Sequence, residues 1–485
     1  MSLEKYFEKF RKNIIGIDKT FISPYGEKKI IYTDWTASGR LYRPIEEKLI
    51  NDFGPFVANT HTETSVTGSV MTKAYHKARS IIKDHVNAND DDILITQGSG
   101  MTGVVNKFQR ILGLRISDNL KKYTQVPEEL KPIVFITHME HHSNQTSWLE
   151  TIAEVEIIPY CDKGLVCLDS FKILLEKYKN RPIKIASVTA CSNVTGIQPE
   201  IYEISKLIHQ YKGLCFVDFA CSAPYVEIDM HKDKDSYFDA IFFSPHKFLG
   251  GPATSGVLLF NKNLYQNQTP DNPGGGTVTW TNPWGEHSYI NDIEVREDGG
   301  TPAFLQTIKI ALAIQLKEEM GVENITKREH EINEIVFNKL NNVSNIHVLA
   351  SQHTDRLGVF SFYIESLHFN LGVKILNDRF GIQTRGGCSC AGTYGHYLLH
   401  VDKNQSHELV DKIADGCLLD KPGWIRMSIH PTITNKEITF VCNSIVELAK
   451  NFNTWSKDYQ YDEKMNEFKH LLDNKLEDGI IESWF

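Results

Sequence analysis

The sequence predicts an α/β protein: a large domain built on a mostly parallel mixed sheet, followed by a smaller α+β domain toward the C-terminus. Three observations predict it. Short, nearly all-apolar runs recur at 29–33, 93–96, 133–137, 155–159, 184–189, 214–217, 240–243 and 255–260. Segments with 3.6-residue periodicity, at 69–86, 102–112 and 201–211, lie between several of them. Strands without polar alternation are buried on both faces, and the intervening helices supply the cover. Third, the texture changes at 261–301, where Asn, Pro, Gly and Trp dominate and Gly274-Gly275-Gly276 stands in the middle. A loop that long carries function or sits at an interface.

Each remaining element follows from local pattern. An amphipathic stretch at 3–15 ends before Pro24-Tyr25-Gly26, so residues 1–30 read as an N-terminal arm that packs on the small domain. Residues 31–302 form the large domain in this reading, and 303–485 the small one. The small domain opens with a strongly periodic helix at 304–320, continues with a charged helix near 326–340 and a strand-like run at 357–364, and closes with a charged tail from 455.

Composition excludes several classes. The chain has 485 residues with 52 basic and 61 acidic side chains, a formal charge of −9, and so lacks the basic surplus of a nucleic-acid surface. No apolar stretch approaches the ~20 residues of a membrane helix, and the start Met1-Ser2-Leu3-Glu4-Lys5 has no signal-peptide core. Nine scattered cysteines without a Cys-x-x-Cys pair point to a reducing compartment. A cytoplasmic protein without resident metal is expected.

In open α/β sheets ligands bind beyond the carboxyl ends of the strands. Five apolar runs end there in polar residues: Gln97-Gly98-Ser99-Gly100-Met101-Thr102, His138-Met139-Glu140-His141-His142, Ala190-Cys191-Ser192-Asn193, Asp218, and Ser244-Pro245-His246-Lys247. Singly, each has an ordinary explanation as a tight turn, a helix cap or a solvated loop. Jointly they match what pyridoxal 5′-phosphate requires. That cofactor needs a lysine amine, a carboxylate against its pyridine nitrogen, donors for its phosphate at a helix N-terminus, and a flat side chain over the ring.

The ordered motifs resemble the class V aminotransferase family of fold-type I pyridoxal-phosphate enzymes over about residues 30–430, most of all its cysteine desulfurases and selenocysteine lyases. The resemblance implies that Lys247, in Ser244-Pro245-His246-Lys247, carries the cofactor as a Schiff base, with Ser244 and His246 on the phosphate. It implies that Gly100, Met101 and Thr102 complete the phosphate seat, that Asp218 meets the pyridine nitrogen, that His141 stacks on the ring, and that Asn193 contacts the ring hydroxyl. Thr301, in Gly300-Thr301-Pro302, would complete the phosphate site of a neighbouring subunit in a homodimer. The loop Arg385-Gly386-Gly387-Cys388-Ser389-Cys390-Ala391 resembles the one carrying the sulfur-accepting cysteine, in a register that selects Cys390 over Cys388. Arg426, with Arg385, would bind the substrate carboxylate.

The function implied is a cysteine desulfurase or selenocysteine lyase that acts on a small amino acid through an external aldimine, with a sulfur-acceptor protein as partner. The alternatives are another class V reaction (transamination, racemisation or a different β-elimination) with Cys390 only structural, and a binding module on the same fold. Two departures bear on the choice. Asp218-Phe219-Ala220-Cys221 has Cys221 where desulfurases carry Gln, and an insertion at 397–422 separates Cys390 from Arg426.

Overall fold

The computed structural model describes every residue except Met1, His61, Asp415, Cys417, Asp420, Asp473, Asn474 and Lys475. It forms two compact units. One comprises Met1–Ala37, Asn193–Ile197 and Glu323–Phe485; the other comprises Ser38–Ser192 and Gln198–Val322.

The second unit is built on seven strands: β1 (Asp92–Gln97), β2 (Ile133–Thr137), β3 (Glu154–Ile158), β4 (Lys184–Thr189), β5 (Leu214–Asp218), β6 (Ala240–Phe243) and β7 (Gly256–Asn261). Their order across the sheet is β1-β7-β6-β5-β4-β2-β3. The five strands from β6 to β3 are parallel, whereas β7 runs antiparallel between β6 and β1. Because β7 is reversed, the C-terminal end of β1 lies at the same edge as those of β2, β4, β5 and β6. Every residue of β2, β4 and β6 is buried, which is why their sequences carry almost no polar alternation. Phe108, from the helix Gly100–Ile111, packs against Phe216 and Phe260 with ring centroids 5.1 and 4.9 Å away. Helix Phe304–Met320 joins this unit, meeting helix Val66–His85 through Ala78, Ile308 and Ala311.

The segment 261–301 is more ordered than its composition suggests. It holds an antiparallel hairpin, Val278–Thr281 with His287–Tyr289, and a short helix, Ile293–Arg296. Trp280 and Trp284 are exposed on it. Two residues of helix Gly100–Ile111 pin the segment down. Lys107 pairs with Glu297 at 2.7 Å, both buried, and Arg110 pairs with Asp271 at 2.6 Å.

The first unit holds a four-stranded antiparallel sheet in the order Ile346–Val348, Val359–Ile364, Trp424–Ser428, Arg385–Gly387. Helices Phe369–Phe380 and Asn435–Trp455 share its core through Phe360, Phe362, Ile375, Met427, Val441 and Ile445. The N-terminal helix Leu3–Arg11 is tied here by Arg11, which reaches Glu437 at 2.5 Å. The run at 29–33 divides. Gly26–Lys29 closes a hairpin with Thr20–Ser23, while Ile31–Tyr32 pairs in parallel with Ile382–Gln383. The charged tail begins with another hairpin, Tyr459–Asp462 with Glu467–His470, at a point where Asp458 accepts hydrogen bonds from Tyr25 and Arg379. Within 397–422 an exposed helix, Lys403–Ala414, is seen; Asp415, Cys417 and Asp420 of that insertion lie outside the described residues. Among the described residues no helix is long and apolar enough to cross a membrane.

Candidate active site

At the carboxyl edge of the seven-stranded sheet, the turn after β1 and the turn after β6 meet. The Met101 N–H donates to Ser244 Oγ at 2.9 Å. Gly100 between them is left-handed, at φ +63°, and a Cβ there would lie 2.9 Å from His246 Cε1 and 3.1 Å from Ser244 Oγ. Only glycine fits this cradle. Thr102 Oγ1 shares a hydrogen bond of 2.6 Å with Ser143 Oγ. Thus Gly100, Met101, Thr102, Ser244 and His246 form one cluster around the first turn of a helix, where backbone N–H groups favour an anion. Burial, with Lys247 as a smaller contributor, lowers His246 to about 4, so its imidazole is neutral at physiological pH.

Asp218 closes β5 and is buried. Its Oδ1 accepts the Ala220 N–H at 2.7 Å. Burial raises its carboxyl to about 6, opposed by that hydrogen bond and by the charge of Lys247. An anion held at such cost calls for a cationic partner. Lys247 ends a single 3-10 turn, Pro245–Lys247, directly after β6.

His141 caps the helix His142–Leu149 by accepting the Ser143 N–H at Nδ1, 3.1 Å. Beneath it, Glu140 is fully enclosed and staples two strand ends together. Its Oε1 accepts from Thr137 Oγ1 (2.6 Å) and the Thr189 N–H (2.9 Å), and its Oε2 accepts from Asn144 Nδ2 (2.7 Å). Burial lifts Glu140 to about 7. Cys221, in the position that departs from the desulfurase pattern, is buried with its thiol toward the Ser192 carbonyl at 3.8 Å.

The other expected residues lie in the first unit. Asn193 donates from Nδ2 to the Ser389 carbonyl at 2.7 Å, and its Oδ1 is buried without a partner. It therefore contacts the backbone of the loop that bears Cys390. Ser389 and Cys390 are both left-handed, at φ +52° and +57°, a conformation that costs non-glycine residues free energy. Cys390 is exposed and Cys388 half-buried. Arg426 is buried, donating from Nη1 to the Asn193 carbonyl at 3.2 Å and from Nη2 to Asp34 Oδ1 at 2.7 Å; its Nε is buried and unpartnered. Arg385 donates to the other oxygen of Asp34 from Nε at 3.0 Å. Asp34 was not among the residues expected from sequence, although it ends a short apolar run just as Asp218 does. Thr301, in the second unit, is exposed at the end of the 261–301 segment.

A seven-stranded mixed sheet with this order and these strand-end residues is the fold-type I architecture of pyridoxal-phosphate-dependent enzymes. Residues 31–441 match the family Aminotransferase class-V, and the chain belongs to that family. A probable cysteine desulfurase of Staphylococcus epidermidis is 28% identical over 369 residues, covering 75% of this chain and 84% of that one. One from Halalkalibacterium halodurans is 27% identical over 367 residues, with the same coverage. Among solved structures, the apo cysteine desulfurase of Thermococcus onnurineus NA1 superposes with a TM-score of 0.73 at 23% identity, covering 92% of this chain and 98% of that one. The cysteine desulfurase CsdA of Escherichia coli gives 0.70 at 20% identity, with the same coverage.

Proposed function

We propose that this chain is a homodimeric pyridoxal-phosphate enzyme that removes sulfur from cysteine and passes it to Cys390. The observation that carries the reading is the joint presence, on one sheet edge, of buried Asp218, Lys247 and the Gly100–Met101–Ser244 cradle. The cysteine desulfurases among its relatives support the choice of substrate.

The donor set suits the cofactor. The glycine cradle leaves room where a Cβ would intrude, and the unpartnered Oδ1 of Asn193 can accept from a ring hydroxyl. Lys247 would hold the aldehyde carbon, Asp218 the pyridine nitrogen, His141 the ring face, and Met101, Thr102, Ser244 and His246 the phosphate, with Thr301 arriving from a second subunit. When bound, pyridoxal phosphate supplies an electron sink for bonds at the substrate's α and β carbons. Arg426 binds the α-carboxylate as a charge-assisted pair. The Lys247 amine would hold and move a proton at the substrate's α carbon. Cys390, as thiolate, attacks the substrate sulfur. The carbon–sulfur bond breaks, a persulfide forms on Cys390, and the β carbon takes a proton to give alanine. The exposure of Cys390 suits onward transfer to a sulfur-acceptor protein.

Cys221 favours a second reading, in which the chain runs another class V reaction (transamination, racemisation or a different β-elimination) and Cys390 is only structural. One assay separates them. The protein, with pyridoxal phosphate, is given cysteine, selenocysteine and other amino acids, and alanine, sulfide, selenide and keto acids are measured. Alanine from cysteine, lost in Cys390→Ala and largely kept in Cys388→Ala, is the expected result. Keto acid as the product, or activity only on substrates without sulfur or selenium, overturns it.

A further inference from the structure

We infer that Asp34 is a specificity-determining positioning residue: by bridging Arg426 and Arg385 it holds the arginine pair at one net positive charge and so selects substrates with a single carboxylate. The inference rests on the reading of Arg426 as the carboxylate clamp.

The bridge uses both oxygens of one carboxylate. Oδ1 faces Arg426 Nη2 at 2.7 Å, and Oδ2 faces Arg385 Nε and Nη2 at 3.0 and 2.9 Å. Asp34 cannot easily swing away, because its backbone bridges to Ser428, two residues beyond Arg426 on the same strand. Its neighbours reinforce this. The Thr36 N–H donates to Ser428 Oγ at 2.9 Å, and Trp35 stacks on His430 with centroids 4.3 Å apart. The carboxylate and the arginine it aims thus share one rigid support.

Arg426 has five donors. Asp34 and the Asn193 carbonyl engage two of its nitrogens, and the third, Nε, is buried without a partner. A buried unsatisfied donor costs free energy that an arriving carboxylate would recover. The charges then decide what else fits. Two guanidiniums and one carboxylate leave a single positive charge, which one substrate carboxylate neutralises. A second carboxylate on the same ligand would meet Asp34 with no counter-charge left, a like-charge repulsion that half-exposed Arg385 screens only in part.

The test uses two ligands without an amino group, which bind without reacting at the cofactor: 3-mercaptopropionate, with one carboxylate, and mercaptosuccinate, with two. Both are titrated by calorimetry into the cofactor-loaded protein. Wild type should prefer 3-mercaptopropionate. In Asp34→Asn the ratio of the two dissociation constants should move toward mercaptosuccinate by about tenfold, and Asp34→Glu should return it. An unchanged ratio in Asp34→Asn overturns the inference. Should that variant not fold, Arg385→Gln leaves no net charge and should weaken mercaptosuccinate more than 3-mercaptopropionate; equal weakening overturns the inference too. Arg426→Gln separates the two proposals. If it still binds both ligands as wild type does, the clamp reading itself is wrong, whatever Asp34 does.

Discussion

The backbone N–H of Met101 donates to Ser244 Oγ at 2.9 Å, joining the first turn of a helix after β1 to the residue that follows β6. The hydroxyl is thereby fixed beside the very N–H groups that an incoming phosphate would use. If this turn holds the phosphate as proposed, the seat is preorganised and little ordering remains to be done on binding.

Gly100→Ala should damage that seat. Its left-handed backbone and the 2.9 Å approach to His246 Cε1 leave no room for a methyl group. A stability loss of about 1–3 kcal/mol is expected, together with a rise of at least about tenfold in the dissociation constant for pyridoxal phosphate. Thermal melting and a fluorescence titration would measure the two effects. Unchanged affinity would remove Gly100 from the seat.

Asp218 should make the cofactor-free protein less stable as pH rises. Its folded pKa, about 6, exceeds its ordinary value of 3.8, so the folded state holds the proton more tightly than the unfolded chain does. Stability contributed by the protonated form is therefore lost between about pH 4 and pH 6. Without cofactor, Asp218→Asn should be more stable than wild type by about 1–3 kcal/mol at pH 8 and equal to it near pH 3.5. If Asp218 pairs with the ring nitrogen as proposed, the order should reverse with cofactor bound, because the variant lacks that anion. Urea unfolding at the two pH values, with and without pyridoxal phosphate, gives all four numbers.

Glu297→Ala should cost about 2–4 kcal/mol, below the full penalty of an uncompensated buried charge. It takes from buried Lys107 the nearer of its two carboxylates, at 2.7 Å, leaving Asp271 at 3.5 Å, and it takes an acceptor from Tyr265. Replacing both partners, as Lys107→Met with Glu297→Leu, should cost much less. A double-mutant cycle by urea unfolding measures the difference. A small loss in the single variant would mean that Asp271 takes over the lysine.

If Thr301 serves a second subunit, mixed dimers should recover activity that neither parent has in full. A dimer of one Lys247→Ala chain and one Thr301→Ala chain has one site with both residues and one with neither. Mixing the two variants under subunit exchange should raise cysteine turnover above the sum of the parents. No gain, with exchange verified by mass spectrometry, would count against the shared site.

Much of this was readable in advance, for a physical reason. β2, β4 and β6 are buried on both faces, so their apolar runs stand out, and Asp218 and Lys247 stand out as the polar residues that follow such runs. The hairpin at 278–289 was not legible, because its strand residues are mostly exposed and carry no alternation to betray them. The run at 29–33 looked like one strand, but the partner of Ile31–Tyr32 lies at Ile382–Gln383, far along the chain. Asp34 escaped notice likewise. Its meaning comes from arginines 351 and 392 residues away, a relationship that no local pattern encodes. The link from Asn193 to the Ser389 carbonyl is hidden for the same reason.

The reversed strand β7 also dictates a timetable. β1 joins the large sheet through β7, whose Gly256 pairs with Gln97 about 160 residues earlier. A nascent chain that has not yet emerged past Asn261 therefore carries β1 without the strand it pairs with. Closure of that edge is a late event of high contact order. Synthesis at about 5–20 residues per second leaves β1 waiting about 8–30 seconds, an interval in which an unpaired apolar strand is open to capture by chaperones or by other chains.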